Sequence, residues 1–445
     1  MRPSRYLVLS DSVLFDGDRG PVRVVLHSSS GQVYVLGEQV LQRMLDDCSS
    51  LPGTVVEELT AAGLLVDDDR DEFSPLVAEN IAANSERGRR LFVLMPSAYC
   101  NMGCGYCGQR HFRSPQPARH RQAVAGRILH AVRDPATREV AVNWFGAEPM
   151  MGYAQILDIS AGVIAACDDR GVHYSSSMVT NGALLTVEKL RRLHLDCRVR
   201  SFEITLDGPA TTHDVQRPLK SGRPSFERIV TTIRRACEDD TMPELRFSIR
   251  TNVSRANRDS HEAFAEAMRT AGLAHPRVNV YLALVRPWGN DVSEYAIDRD
   301  EVIDVERQWL LAYLSNGLDA RLLPIKRVTT TCVAVTRAAE VIDPSGNVHS
   351  CTEQPLVPGR EQTALGRVTD LQTPSVRPPG AYDTWNQQLL GDTAVSCPTC
   401  SIFPICGGSC PLVWHEGQPA CPPLRTTLPM RLTLYGTSIG LHAGA

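Results

Sequence analysis

The 445-residue sequence lacks long apolar runs, and none approaches the ~20 residues that a membrane-spanning helix needs. The first ten residues are too short and too interrupted for the apolar part of a secretory signal. Runs of basic residues are also missing: lysine occurs three times, and the formal net charge is −4. These absences argue against membrane, secreted and nucleic-acid-binding proteins. They predict a cytoplasmic protein with neither a membrane nor a nucleic-acid partner.

Cysteine, by contrast, is abundant, with fourteen in the chain. A disulfide scaffold would usually be smaller and secreted, so we do not expect that use here. Ten of the fourteen fall into spacings typical of metal sites. The remaining four lie in apolar or helical contexts and are interpreted as ordinary core thiols; they are Cys48, Cys167, Cys197 and Cys237.

Cys100, Cys104 and Cys107 form a C-x3-C-x2-C run directly after a predicted buried strand at residues 91–95. Three thiolates can hold three irons of a [4Fe–4S] cube and leave the fourth open, whereas clusters that only pass electrons usually have four cysteines. The alternatives are three unrelated thiols or half of a zinc site, although zinc normally uses C-x2-C pairs. The spacing resembles the signature loop of the radical S-adenosylmethionine (radical SAM) enzymes.

That resemblance implies that the open iron binds the amino and carboxylate groups of SAM. Cleavage of SAM then yields a 5′-deoxyadenosyl radical, which takes hydrogen from the substrate, and the three cysteines are the catalytic metal ligands. Residues 146–149, Gly-Ala-Glu-Pro, stand where the family usually has Gly-Gly-Glu-Pro. The segment from Thr205 to Arg217 resembles peptide-modifying members, including anaerobic sulfatase-maturating enzymes. The implied cofactor contacts are Tyr106, Gly146, Glu148, Asn181, Thr205 and Arg217.

Three further residues near these motifs are candidates for other roles. Asp207 could face the substrate, but Asp-Gly is also a common turn pair. His111 and His213 are interpreted as structural histidines.

The middle of the chain alternates predicted strands with predicted helices, which indicates a parallel sheet with right-handed crossovers. The predicted strands after the first one cover residues 140–145, 174–179, 201–206, 245–249 and 278–284. Phe226, Ile229, Val230 and Ile233 share one face of a predicted helix, and residues 300–314 predict a bridging helix. About six strand–helix units fit, so we predict a partial (β/α)6 barrel within the α/β class, as the radical SAM resemblance also implies.

Three regions follow from this pattern: residues 1–88, 89–315 and 316–445. In the first, strands at 22–26 and 32–36, helices at 37–47 and 55–62 and a strand at 64–66 suggest a winged-helix-like unit. This unit resembles the peptide-recognition domain of many peptide-modifying enzymes; a simple cap on the barrel is the alternative. Residues 373–380 predict a loop.

The C-terminal region carries seven more cysteines in a dense pattern, C-x13-G-x4-C followed by C-x2-C-x5-C-x3-C and a last cysteine. The pattern resembles the SPASM domain, which holds two auxiliary [4Fe–4S] clusters; a double zinc ribbon is the alternative. The resemblance implies an outer cluster on Cys397, Cys400, Cys406 and Cys421. It implies an inner cluster on Cys332, Cys351 and Cys410, with either an open iron or a non-cysteine fourth ligand.

Together these resemblances predict a radical SAM/SPASM oxidoreductase that modifies a ribosomally made peptide, by a thioether, a carbon–carbon crosslink or a related change. The expected cofactors are three [4Fe–4S] clusters and SAM, and the expected partners are a precursor peptide and an electron donor such as ferredoxin or flavodoxin. The alternatives are maturation of a sulfatase or other protein, oxidation of a small molecule, and a metal-stabilised binding module without turnover.

Overall fold

The computed structural model describes residues 1–114, 117–370, 376–391 and 396–443. Residues 1–88 form a small α/β region. Its strands are β1 (Arg2–Pro3), β2 (Leu7–Leu9), β3 (Leu14–Asp16), β4 (Gly20–His27), β5 (Gln32–Gly37) and β6 (Leu65–Val66). Its helices are α1 (Glu38–Asp46), α2 (Gly53–Ala61) and α3 (Ser74–Ser85). Strand β4 pairs antiparallel with β2, β3 and β5. The predicted strands and helices are present, and the winged-helix assignment stays a prediction.

The middle of the chain forms the parallel part of the main sheet. Its strands are β7 (Arg89–Leu94), β8 (Glu139–Trp144), β9 (His173–Thr180), β10 (Val199–Thr205), β11 (Arg246–Val253) and β12 (Val278–Leu284). The helices are α4 (Ala118–Arg133), α5 (Tyr153–Arg170), α6 (Val187–Asp196), α7 (Ala210–Gln216), α8 (Phe226–Cys237), α9 (His261–Thr270) and α10 (Val302–Ser315). The strands lie in chain order and pair in parallel. The predicted α/β alternation is therefore confirmed.

The last region adds strands β13 (Ala339–Ile342), β14 (Asn347–His349), β15 (Gly366–Arg367) and β16 (His442–Ala443). Its helices are α11 (Trp385–Gln388), α12 (Phe403–Cys406), α13 (Pro411–His415) and α14 (Leu424–Ser438). Strand β13 runs parallel to β7, and β14 and β15 follow antiparallel, so the described sheet is mixed. The sequence analysis did not find β13, because four residues are too few to show a period and Glu340 interrupts the apolar pattern.

The end of the described chain returns to the N-terminal region. Leu428 and Leu432 of α14 pack with Val22 and Val24 of β4, and β16 pairs with β3. The tail, which the sequence analysis grouped with the C-terminal region, thus contributes to the first sheet. Of the predicted loop at 373–380, residues 373–375 lie outside the described residues, and 376–380 contain neither helix nor strand.

One helical segment, Pro149–Arg170, is long and apolar enough to cross a membrane by length and composition alone. Ile156, Val163 and Cys167 on this helix are fully buried in the main core. A core helix passes the same test, so this segment does not indicate a membrane protein. The sequence analysis did not single it out because Asp158 interrupts its apolar run.

Candidate functional site

The three cysteines that follow β7 line one cavity of about 220 Å³. The loop runs from the carboxyl end of β7, the edge of a parallel sheet where α/β folds place their chemistry. Cys100 is buried, Cys104 and Cys107 are half-buried, and all three are free thiols. Burial raises the pKa of the Cys100 thiol to about 11. The predicted residues Tyr106, Gly146, Asn181, Thr205 and Arg217 line the same cavity.

Glu148 lies beside this cavity without lining it. Its carboxylate is fully buried and accepts hydrogen bonds from the backbone N of Met150 (2.9 Å), the Thr180 hydroxyl (2.7 Å) and the backbone N of Asn181 (2.8 Å). The side chain therefore joins the ends of β8 and β9, and a Glu148 contact with the cofactor stays a prediction.

Asn181, which directly follows β9, forms hydrogen bonds with the cysteine loop. Its side-chain Nδ2 donates to the Asn101 side chain at 2.8 Å and lies 3.7 Å from the Cys100 sulfur. Its Oδ1 accepts from the backbone N of Ala183. In the described structure Asn181 therefore orients the cysteine loop as well as lining the cavity.

A buried polar network forms another wall of the cavity. The Tyr106 hydroxyl donates to Asp207 and accepts from Arg217 and from Asn252, the last at 3.1 Å. Asp207 is fully buried and also accepts from the backbone N of Asn252 at 2.8 Å. Burial raises the pKa of the Asp207 carboxyl, and Arg217 opposes that shift. Asp207 therefore supports the wall and does not itself line the cavity; a substrate contact of Asp207 stays a prediction.

Arg217 has a hydrogen-bond donor that this network does not use. Its side chain is 9% exposed, 3.6 Å from Asp207, and its Nε is a buried donor without a hydrogen-bond partner among the described residues. An unpaired buried donor is costly, so a ligand carboxylate in the cavity would be a favourable partner. Three free thiols and this donor suit the cluster and SAM that the sequence predicts.

The two histidines differ in placement. His213 is buried between the Asp207 backbone N and the Ser225 hydroxyl, and burial lowers its pKa to about 3. A neutral, fully bonded ring fits the predicted structural role. His111, in contrast, lines the cavity, with its Nε2 3.9 Å from the Cys107 sulfur.

The sequence analysis missed part of the lining. Arg250 and Asn252 come from the end of β11, Arg286 and Trp288 follow β12, and Glu353 comes from the C-terminal region. Polar residues at parallel strand ends could have indicated the first four. No sequence signal connected Glu353 to the barrel, because it lies more than two hundred residues from the cysteine loop.

The seven C-terminal cysteines fall into two groups. Cys397, Cys400, Cys406 and Cys421 line a small cavity together with Arg425, whose Nη1 donates to the Cys421 sulfur at 3.2 Å. Cys332 and Cys410 pack against the cluster that contains Cys351. This division is the one that the SPASM resemblance implies; ligation of iron by these groups stays a prediction.

Within the described ranges, no three His, Cys, Asp or Glu side chains converge closely enough to hold one metal ion. A [4Fe–4S] cube is larger than a single ion, and its thiolates bind separate irons at separate corners. The cysteine groups should therefore be compared with a cluster rather than with one ion.

Gly108 fixes the position of the cysteine loop against the segment after β12. A Cβ at Gly108 would lie 2.4 Å from the backbone oxygen of Trp288, whereas a Cβ at Gly103 in the same loop meets nothing within 4 Å. We expect Gly108→Ala to displace the loop, lower stability by ~1–3 kcal/mol and reduce iron incorporation. Gly103→Ala is the matched control and should behave as wild type in thermal unfolding and iron analysis. Equal behaviour of the two variants would contradict this role of Gly108.

Comparisons with known proteins give a consistent picture. Residues 94–242 match the Radical SAM superfamily. The serine-type anaerobic sulfatase-maturating enzyme of Klebsiella aerogenes is 24% identical over 333 residues, covering 70% of this chain and 77% of that enzyme. The structure of native anSMEcpe with bound AdoMet and the Cp18Cys peptide has a TM-score of 0.57 at 15% identity, covering 79% of this chain and 98% of that one. SuiB of Streptococcus suis has a TM-score of 0.49 at 16% identity, covering 92% of this chain and 96% of that one.

The cysteine loop, the parallel strands in chain order and the cavity at their carboxyl ends all lie within or beside the matched segment. Such a domain implies a [4Fe–4S] cluster and SAM as cofactors. Residues 94–242 therefore form a radical SAM domain, and the chain is similar over 70% of its length to an anaerobic sulfatase-maturating enzyme.

Proposed function

We propose that this radical SAM maturase oxidises a ribosomally made peptide and forms a thioether, a carbon–carbon crosslink or a related modification. The observation that carries the proposal is the composition of the cavity wall. Thiols of the first cysteine group and Glu353, two residues after Cys351, line one cavity. A substrate there would lie between the radical SAM loop and the inner group of C-terminal cysteines.

Within this proposal each part of the chain has a role. Cys100, Cys104 and Cys107 would hold the first cluster, and Thr205 and Arg217 would bind SAM. When bound, the cluster and SAM supply the 5′-deoxyadenosyl radical that abstracts hydrogen. The cavity walls orient the peptide and exclude water. The two C-terminal cysteine groups would hold auxiliary clusters, which suit a net oxidation, and an external donor such as ferredoxin or flavodoxin would supply electrons.

The proposal also gives residues 1–88 a role in peptide recognition. Among the described strands, β5 pairs with β4 alone, so its other edge is open. A peptide can add a strand at such an edge through backbone hydrogen bonds. Slower amide exchange at residues 32–37 when the peptide is added would support this role, and unchanged exchange would contradict it.

The second candidate is maturation of a sulfatase or another protein. It is favoured by the similarity to the Klebsiella aerogenes enzyme over 70% of this chain. The two candidates differ in substrate and share the radical SAM site.

The test uses cluster-loaded, reduced protein with SAM and one of two substrates. The first is the peptide encoded beside the gene, and the second is a sulfatase-derived peptide that contains the target serine or cysteine. We expect 5′-deoxyadenosine together with a product lighter by two hydrogens from the first. Turnover of the sulfatase peptide alone would favour the second candidate, and zinc in place of iron in the purified protein would contradict both.

A further inference from the structure

Two arginines line the cavity on the side of β11 and β12. Arg250 lies on β11, next to Thr205 of β10 and Tyr281 of β12 in the strand register. Arg286 lies two residues beyond the end of β12. Both side chains are half-buried. Arg250 touches the network around Tyr106 and Asp207 only through Asn252, and no hydrogen bond joins Arg286 to it among the described residues.

The positive charge of Arg250 is only partly neutralised by its neighbours. Its Nε donates to the Asn252 side chain at 2.9 Å. Its Nη1 lies 3.7 Å from Glu203, but both side chains of that pair are about a third exposed, at 36% and 29%. An exposed pair at this distance is weak. Arg250 therefore lines the cavity with weak partners, Asn252, Tyr281 and Glu203, and no close ion pair.

Arg286 has no hydrogen bond or ion pair in the part of the chain that the structure describes. Its guanidinium lies 6.0 Å from the Trp288 ring centroid, which restrains its position. Burial lowers the pKa of Arg286, the Cys410 thiol opposes this, and the like charge of Arg250 adds to it. A desolvated cation beside another cation costs free energy unless an anion joins them.

The rest of the described lining offers one carboxylate. Glu353 interacts electrostatically with Arg250 but forms no ion pair with either arginine. Arg217 already has Tyr106 and Asp207 as partners. On this side of the cavity two guanidinium groups therefore face one carboxylate.

From this geometry we infer that Arg250 and Arg286 form a subsite for a carboxylate of the peptide substrate, an Asp or Glu side chain near the modified residue. The inference rests on the proposed peptide substrate and adds a specificity determinant to it. Guanidinium groups bind carboxylates through paired, charge-assisted hydrogen bonds. The SAM carboxylate is the other source of the same chemistry, and the experiment separates the two.

The experiment measures arginine modification by phenylglyoxal, followed by mass spectrometry, on the cluster-loaded protein. The probes are N-acetyl-glutamate amide, its neutral analogue N-acetyl-glutamine amide, and SAM. With SAM already bound, we expect the glutamate probe to slow modification of Arg286 and Arg250 several-fold and the glutamine probe to have no effect. Arg223, an exposed residue outside the cavity, is the internal control and should react equally throughout.

Full protection by SAM alone, with no further effect of the glutamate probe, would assign the subsite to SAM and overturn the inference. Absence of protection by either probe would also overturn it. Because this measurement needs no turnover, its failure is distinguishable from failure of the proposed peptide reaction.

A variant gives a second, independent readout. Arg286→Gln should raise the KM for the peptide encoded beside the gene several-fold while leaving SAM binding unchanged, and Arg286→Lys should restore part of the loss. A change in SAM affinity instead, with the peptide KM unchanged, would contradict the assignment.

Discussion

Cys104→Ala is expected to abolish SAM cleavage. Three thiols line the cavity, and a cube held by two of them would keep too few ligands. We expect the iron content to fall by about four atoms per chain, one cube's worth, and 5′-deoxyadenosine to disappear. Iron and sulfide analysis together with chromatography of the SAM products would measure both effects.

Cys48→Ala is the matched control for this variant. Cys48 is a half-buried thiol in the N-terminal region and does not line the cavity. Its replacement should leave both iron content and SAM cleavage unchanged. Wild-type SAM cleavage by Cys104→Ala would show that the cysteine loop is not the site.

Glu340→Ala is expected to have the largest effect on stability. Glu340 of β13 accepts from Arg127 of α4 at 2.6 and 2.9 Å and from Arg90 of β7 at 3.2 Å, and all three side chains are fully buried. Burial lowers the pKa of Arg90 to about 10. Removing the carboxylate leaves two buried cations without their common partner, which should cost ~3–5 kcal/mol.

The comparison for Glu340→Ala is Glu361→Ala. Glu361 pairs with Arg110 at 3.4 Å on the surface, where the two side chains are 34% and 67% exposed. Loss of such a pair costs ~0–1 kcal/mol. Chemical unfolding should therefore rank Glu340→Ala far below Glu361→Ala in stability. Equal denaturation midpoints for the two variants would show that the buried carboxylate does not anchor β13 to the main sheet.

Much of the fold could be predicted because its elements carry strong local patterns. The strands from β7 to β12 are apolar or alternate polar and apolar residues, and helices separate them. The helix face of Phe226, Ile229, Val230 and Ile233 is buried as expected. Strand β13 was missed because its pairing with β7 joins residues about 250 positions apart. The packing of α14 on the first sheet depends on similarly distant contacts, which no local pattern reveals.

The lining of the cavity could also be predicted in part, where a local motif places the residue. Residues placed by a local motif, such as Cys104 and Thr205, line it as expected. The resemblance also pointed to Glu148, but the structure buries that carboxylate under three hydrogen bonds. Arg286 could have been indicated by its place after a parallel strand, whereas Glu353 is brought to the cavity by tertiary packing that no spacing reveals.

The most direct test of the central claim is electron paramagnetic resonance of the reduced protein before and after SAM is added. The three thiolates of the Cys100–Cys107 loop are expected to leave one iron free for SAM. Addition of SAM should therefore alter the spectrum of one cluster, and this change should be absent in Cys104→Ala. An unchanged spectrum in a cluster-loaded wild-type sample, with SAM left intact, would contradict the account.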